Sequence, residues 1–168
     1  EWERRQQQQS LSLTLKVLVD CSGSMAGASM DQARGALAVL LEQLDAGDVV
    51  SYSRFGSHVE HALEPVACER RHMAALRRAF QATDATLGGT ELGLALEEVV
   101  ALRQKDSGYL SNLDGNTDIL LITDGEVWDV EGTIASLRHS GHRVHTIGVG
   151  AAPAQSLLRA LAGATGGG

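Results

Sequence analysis

Leu11-Ser12-Leu13-Thr14-Leu15-Lys16-Val17-Leu18-Val19-Asp20-Cys21-Ser22-Gly23-Ser24 is the stretch that decides the fold. In an extended chain, successive side chains alternate between two faces. Leu11, Leu13, Leu15, Val17 and Val19 therefore share one face, while Ser12, Thr14 and Lys16 on the other give way to Leu18. The strand enters the core as it proceeds, and it ends in an Asp followed by a small, hydroxyl-bearing turn. Ile119 to Ile122 is continuously apolar, as expected of a parallel strand covered by helices on both faces. Val144 to Val149 reads as a third strand, closing on Gly148-Val149-Gly150.

Helical spacing fills the intervals. Ser29 to Ala46 carries Ala33, Leu37, Leu40, Leu41 and Leu44 at intervals of three and four, with Ser29 and Gln32 as a capping box and Gly47 as the stop. Glu69 to Ala82 carries Met73, Leu76 and Phe80, and Thr90 to Arg103 carries Leu92, Leu96 and Val99. Val130 to His139 reads as a further helix, and Pro153 opens a last one with Leu157, Leu158 and Leu161. Val49 to Phe55 and His58 to Val66 read as strands whose Gly56-Ser57 link allows only a hairpin. Alternating strands and helices with one hairpin predict an α/β fold. It is a doubly wound, Rossmann-like, mostly parallel sheet with one antiparallel edge strand and helices on both faces. Asp106 to Thr117, rich in Gly, Ser, Asn and Asp, reads as a surface loop.

The chain has 168 residues, close to the ~150 typical of one domain. Hydrophobic residues make up 43% and charged residues 21%, an ordinary globular balance. No apolar run approaches the ~20 residues of a membrane helix, so no membrane span is expected in this chain. Lys and Arg number 14 against 21 Asp and Glu, for a net charge of -7, which disfavours nucleic acid as a partner. The basic cluster Arg70, Arg71, Arg77 and Arg78 lies at helical spacing and reads as a solvated face. Two cysteines, Cys21 and Cys68, are too few for a disulfide framework; they read as reduced thiols and favour a cytoplasmic setting. Residues 1–10 are polar and read as a linker from an upstream domain, leaving 11–168 as the folded unit.

In an open α/β sheet, ligands bind outside the carboxyl ends of the strands, where neighbouring crossovers diverge. Three features are expected there: Asp20-Cys21-Ser22-Gly23-Ser24, Thr123-Asp124-Gly125, and the Gly88-Gly89-Thr90 turn that opens a helix. Together they offer the carboxylates of Asp20 and Asp124 and the hydroxyls of Ser22, Ser24 and Thr90, an all-oxygen set that suits a hard cation. Mg2+ is the first choice, with Mn2+ or Ca2+ as further fits. Each feature alone is also an ordinary helix cap or turn; their combination is what points to a metal.

Asp20-x-Ser22-x-Ser24, Thr90 in Gly-Gly-Thr and Asp124 in Ile-Thr-Asp-Gly together resemble the metal-ion-dependent adhesion site of the von Willebrand factor type A domain family. The resemblance runs from about Leu11 to Gly167. It implies that Ser22, Ser24 and Thr90 supply hydroxyl oxygens, while Asp20 and Asp124 hold the ion directly or through water. Leu121 to Trp128 and Gly89 to Leu92 are similar to the members that follow an inter-alpha-trypsin-inhibitor-type domain. The family's fold adds a strand and a helix after a Gly-Gly turn, so the resemblance implies that these are missing beyond Gly166-Gly167-Gly168.

The implied function is a divalent-cation-dependent protein-binding module, not an enzyme, whose metal accepts an Asp or Glu carboxylate from a protein partner. Met25 and Trp128 follow the first and third of these segments, where they either form an apolar rim around that ion or pack under the adjacent loops. The alternative is a metal-dependent phosphohydrolase using Asp20. That chemistry needs a second Asp two residues on, where Ser22 stands, and no Gly-x-Ser-x-Gly elbow surrounds Ser24. His58 and His61, three apart on a strand, face opposite sides. His139, His142 and His145 straddle a helix end, a turn and a strand, so all five read as surface or edge residues.

Overall fold

Gly56-Ser57-His58 leave no room for a crossover, and the strands on either side of them are antiparallel neighbours. The computed structural model describes residues 14–89, 91–102, 117–124 and 141–150. Its strands are β1 (Thr14–Asp20), β2 (Val49–Phe55), β3 (Val59–Ala67), β4 (Thr117–Thr123) and β5 (Arg143–Gly148). They form one sheet in the order β3-β2-β1-β4-β5. β1 runs parallel to both β2 and β4, and β4 runs parallel to β5. The described helices are α1 (Ala28–Gln43), α2 (Arg70–Gln81) and α3 (Leu92–Ala101), with a short 3-10 turn at Gly23–Met25. The expected helices at 130–139 and from Pro153, strand residues 11–13, loop residues 106–116 and the linker 1–10 lie outside the described residues. Among those described, no helix is long and apolar enough to cross a membrane.

Side-chain alternation divides the core as the strands require. Leu15, Val17, Val19, Val50, Tyr52 and Ile122 pack with Met30, Ala33 and Leu37 of α1 and Leu76 and Phe80 of α2. On the opposite face Leu18, Phe55, Ile119, Leu121 and Val144 pack with Leu92, Ala95, Leu96 and Val99 of α3. Ile119 to Ile122 thus sends alternate residues into both cores, which is why its sequence shows no polar alternation. Arg70, Arg71, Arg77 and Arg78 are all exposed along α2, a solvated face.

Four expectations are corrected. No capping box forms: Gly27, at φ 85°, is the N-cap of α1, and the Gln32 amide oxygen instead accepts the Gly150 N–H at 2.9 Å. Met25 is fully buried in the α1 core, so it forms no rim. Trp128 lies outside the described residues. Lys16, on the polar side of the β1 pattern, is only 3% exposed. Its ammonium donates to the Val100 carbonyl at 3.0 Å and lies 2.9 Å from His142 Nε2. Val100 is in the last turn of α3, whose carbonyl end carries partial negative charge and so favours a buried cation. His142 is correspondingly buried rather than at the surface.

Candidate functional site

β1 is the point of divergence: the chain leaves it for β2 on one side and returns to β4 on the other. Ligands of doubly wound sheets bind at such a point, beyond the carboxyl ends of the two strands. The parallel register pairs Val19 with Ile122, which sets Asp20 beside Thr123 and brings Asp124 to the same edge. Asp20 is completely buried and Asp124 nearly so.

Asp20 is held from both sides. Its Oδ1 accepts the Ser22 N–H at 2.9 Å, and its Oδ2 accepts the Thr123 hydroxyl at 2.7 Å. Burial pushes its pKa above the ordinary carboxylate value of 3.8, and the Asp124 carboxylate adds to the rise. Hydrogen bonds from Ser22 and Thr123 oppose it. The fold therefore concentrates negative charge where water cannot solvate it, an arrangement that a cation relieves.

The 3-10 turn after β1 places Ser22 Oγ 3.1 Å from Ser24 Oγ. Oxygens on adjacent corners of an octahedron with ~2.05 Å bonds lie about 2.9 Å apart, so this separation is close to that of two neighbouring Mg2+ ligands. Ser22 is buried and Ser24 exposed, so the pair spans the step from core to solvent. The residues present fit a hard divalent ion. Among the described residues no three His, Cys, Asp or Glu side chains converge, and the oxygens beside the two carboxylates are the serine hydroxyls. Cys21 points into the α1 core, and burial pushes its thiol up to about 12, keeping it protonated and out of the ligand set.

Of the five residues singled out by the sequence, Asp20, Ser22, Ser24 and Asp124 meet at this edge, while Thr90 lies outside the described residues. Its neighbours are fixed at the same edge. Leu87 N–H donates to Cys21 O at 2.9 Å, and Gly23 N–H donates to Gly88 O at 2.8 Å. On the other side Ser57 N–H donates to Leu87 O at 2.7 Å, and Glu91 N–H donates to Gly56 O at 2.8 Å.

Sequence reasoning missed Thr123, whose hydroxyl orients Asp20. Its partner is set by register: two adjacent parallel strands ending side by side bring these side chains together, which neither strand's own sequence records. Sequence reasoning also missed Gly150, at φ 92°, where an added Cβ would lie 2.7 Å from Ser29 Oγ and 3.8 Å from Asp124 Cβ. His58 and His61 share no partner: His58 Nε2 is 3.3 Å from Glu60, while His61 Nδ1 is 2.8 Å from Ser53 Oγ. His145 is 3.6 Å from Asp118, and His139 lies outside the described residues.

The model of one protein family, described as the von Willebrand factor type A domain, matches residues 15–167. A von Willebrand factor A domain-containing protein of Dictyostelium discoideum is 28% identical over 147 residues, covering 86% of this chain and 15% of that protein. A second from the same organism is 30% identical over 137 residues, covering 79% and 14%. The chain thus spans only 14–15% of the length of these curated relatives. A von Willebrand factor type A structure from Catenulispora acidiphila superposes with a TM-score of 0.76 at 21% identity, over 93% of this chain and 37% of that one. The manganese-loaded TRAP protein of Plasmodium vivax superposes with a TM-score of 0.65 at 19% identity, over 90% and 63%. At these identities the two structures establish the fold.

Proposed function

The chain belongs to the von Willebrand factor type A domain family, and from that membership we propose that it is a protein-binding module whose partner must reach a bound divalent cation. Domains of this family are interaction modules, and the proposal adds the metal and the partner's chemistry. Asp20, Ser22, Ser24, Thr90 and Asp124 are the residues assigned to hold Mg2+, with Mn2+ or Ca2+ as alternatives. One observation carries the reading: buried Asp20 beside Asp124, with two serine oxygens 3.1 Å apart next to them. The manganese-loaded TRAP structure, which shares this fold, supports it.

The ion, when bound, would supply a hard positive charge for an external oxygen ligand. The chain's own residues determine which ligand is selected. Ser22, Ser24 and Thr90 are neutral donors and cancel none of the cation's charge, which leaves that to the two carboxylates and to whatever binds from outside. Asp20 is already engaged by Ser22 N–H and the Thr123 hydroxyl, which fix its orientation and share its charge. A site of this kind favours an anionic oxygen from outside, and an Asp or Glu side chain of a protein partner is the available form. The similarity of Leu121 to Trp128 to members following an inter-alpha-trypsin-inhibitor-type domain supports such a domain upstream.

The test is capture of a binding partner by the immobilised chain in Mg2+ and in EDTA, followed by substitution of the partner's surface carboxylates by amides. The expected result is a complex that forms in Mg2+, dissociates in EDTA and is lost when one partner Asp or Glu is neutralised. Thr90→Ala should weaken it without unfolding the chain. A complex retained equally in EDTA overturns the reading.

A further inference from the structure

The turn between β2 and β3 contributes none of the five assigned ligands, yet it holds the chain on both sides of position 90. Gly89 N–H donates to Ser57 Oγ at 2.7 Å. Glu91 N–H donates to Gly56 O at 2.8 Å, and Ser57 N–H donates to Leu87 O at 2.7 Å. The opposite flank of the same loop is tied to the turn after β1 through Cys21 O and the Gly23 N–H. The segment Leu87–Gly89 therefore lies clamped between the β1 turn, which carries Ser22 and Ser24, and the β2–β3 turn.

Among these bonds, only the one from Gly89 uses a side chain. The glycines make it geometrically possible. A Cβ at Gly88, where φ is +77°, would lie 2.9 Å from Ser57 Oγ, and one at Gly89 would lie 3.1 Å from it. Gly88-Gly89 thus clears space for a serine hydroxyl to reach a backbone amide. Ser57 is itself exposed, so its hydroxyl is held for this contact and not by burial.

We propose that Ser57 is a positioning residue of the metal centre: by accepting the Gly89 amide proton it fixes the backbone immediately before Thr90 in the sequence, one of the assigned ligands. The proposal rests on the metal-binding reading above. Without the Ser57 oxygen, the loop retains its main-chain bonds to β1, but the residue next to position 90 is anchored to water. Ion binding must then order that backbone, and affinity falls. Hydrogen-bond partners one step behind a metal ligand typically change affinity by about 10–100-fold. Because the remaining bonds persist, the low end, about tenfold, is expected here.

The experiment is a Mn2+ titration of the full chain, read by the electron paramagnetic resonance of free Mn2+. It compares wild type, Ser57→Ala, Ser57→Thr and Asp20→Ala, with melting curves in EDTA for each. Support would be about tenfold weaker binding by Ser57→Ala, restoration to within about twofold by Ser57→Thr, and an unchanged metal-free melt. Ser57→Ala binding as tightly as wild type, or Ser57→Thr binding as weakly as Ser57→Ala, overturns the positioning role and leaves the metal reading standing. Wild type indistinguishable from Asp20→Ala removes the metal reading and this proposal together.

Discussion

Replacing Gly56 by Ala probes the contact that shapes this site. The new Cβ would lie 2.3 Å from Leu87 O, 2.5 Å from Leu87 Cβ and 2.6 Å from Leu87 C. The first distance is about 1.1 Å short of the 3.4 Å at which ordinary contact begins. Two of these atoms are backbone, so no side-chain rotation relieves the clash. The loop must retreat by about an ångström, against its bonds to Cys21 O, to the Gly23 N–H and to the Ser57 N–H. Overpacking costs about 1–3 kcal/mol, and loosening one hydrogen bond adds about 1 kcal/mol. The sum is a destabilisation of about 2–4 kcal/mol, with weaker Mn2+ binding because the displaced loop leads to position 90. Gly35→Ala is the matched control. Gly35 lies inside α1 with nothing within 4 Å of its would-be Cβ, and the same substitution there should stabilise by about 0.5–1 kcal/mol. Urea unfolding of both variants at a common slope measures the two effects. Gly56→Ala unfolding within about 0.5 kcal/mol of wild type would refute the contact between the β2–β3 turn and Leu87.

Asp20→Asn should make the metal-free protein more stable. Because the folded pKa of Asp20 lies above its unfolded value, Asp20 favours folding at low pH and loses that contribution as pH rises through the folded pKa. The advantage of the variant should therefore be present at neutral pH and vanish as pH falls toward 3.8, as denaturant unfolding across pH in EDTA would show. Lys16→Ala should destabilise by about 2–4 kcal/mol, since buried polar groups lose their partner and a cavity replaces the stem. Urea unfolding checks it, and a loss below about 0.5 kcal/mol would contradict the buried contacts to Val100 O and His142.

The elements that were legible from the sequence are those set by local periodicity or chain length. The short Gly56-Ser57 link dictated the β2–β3 hairpin, which closes one residue later, and the unbroken apolar run of β4 reported cover on both faces. Lys16 was not legible, because alternation along one strand says nothing of the Val100 carbonyl or of His142, which are 84 and 126 residues away. Ser29 and Gln32 satisfied a local capping rule, yet Gly27 took the cap and Gly150, 118 residues on, took the Gln32 oxygen. Tertiary partners overrode local preference in both cases. At the site, the placement of Asp20, Ser22, Ser24 and Asp124 at one sheet edge was readable because each ends or follows a strand. Thr123 and Ser57 were not, because each acts through a neighbour defined only by strand register or by the contact of two loops.

A metal held at Asp20 is tested most directly by the thermal response to a divalent ion. A ligand that binds only the folded chain stabilises it by about 2.7 kcal/mol at one hundred times its dissociation constant. For a domain of this size, each kcal/mol raises the melting temperature by about 2–4 °C. Melting wild type and Asp20→Ala in EDTA and in saturating Mg2+ or Mn2+ should give a rise of about 5–10 °C for wild type and none for the variant. Equal responses from the two proteins would contradict a metal held at Asp20.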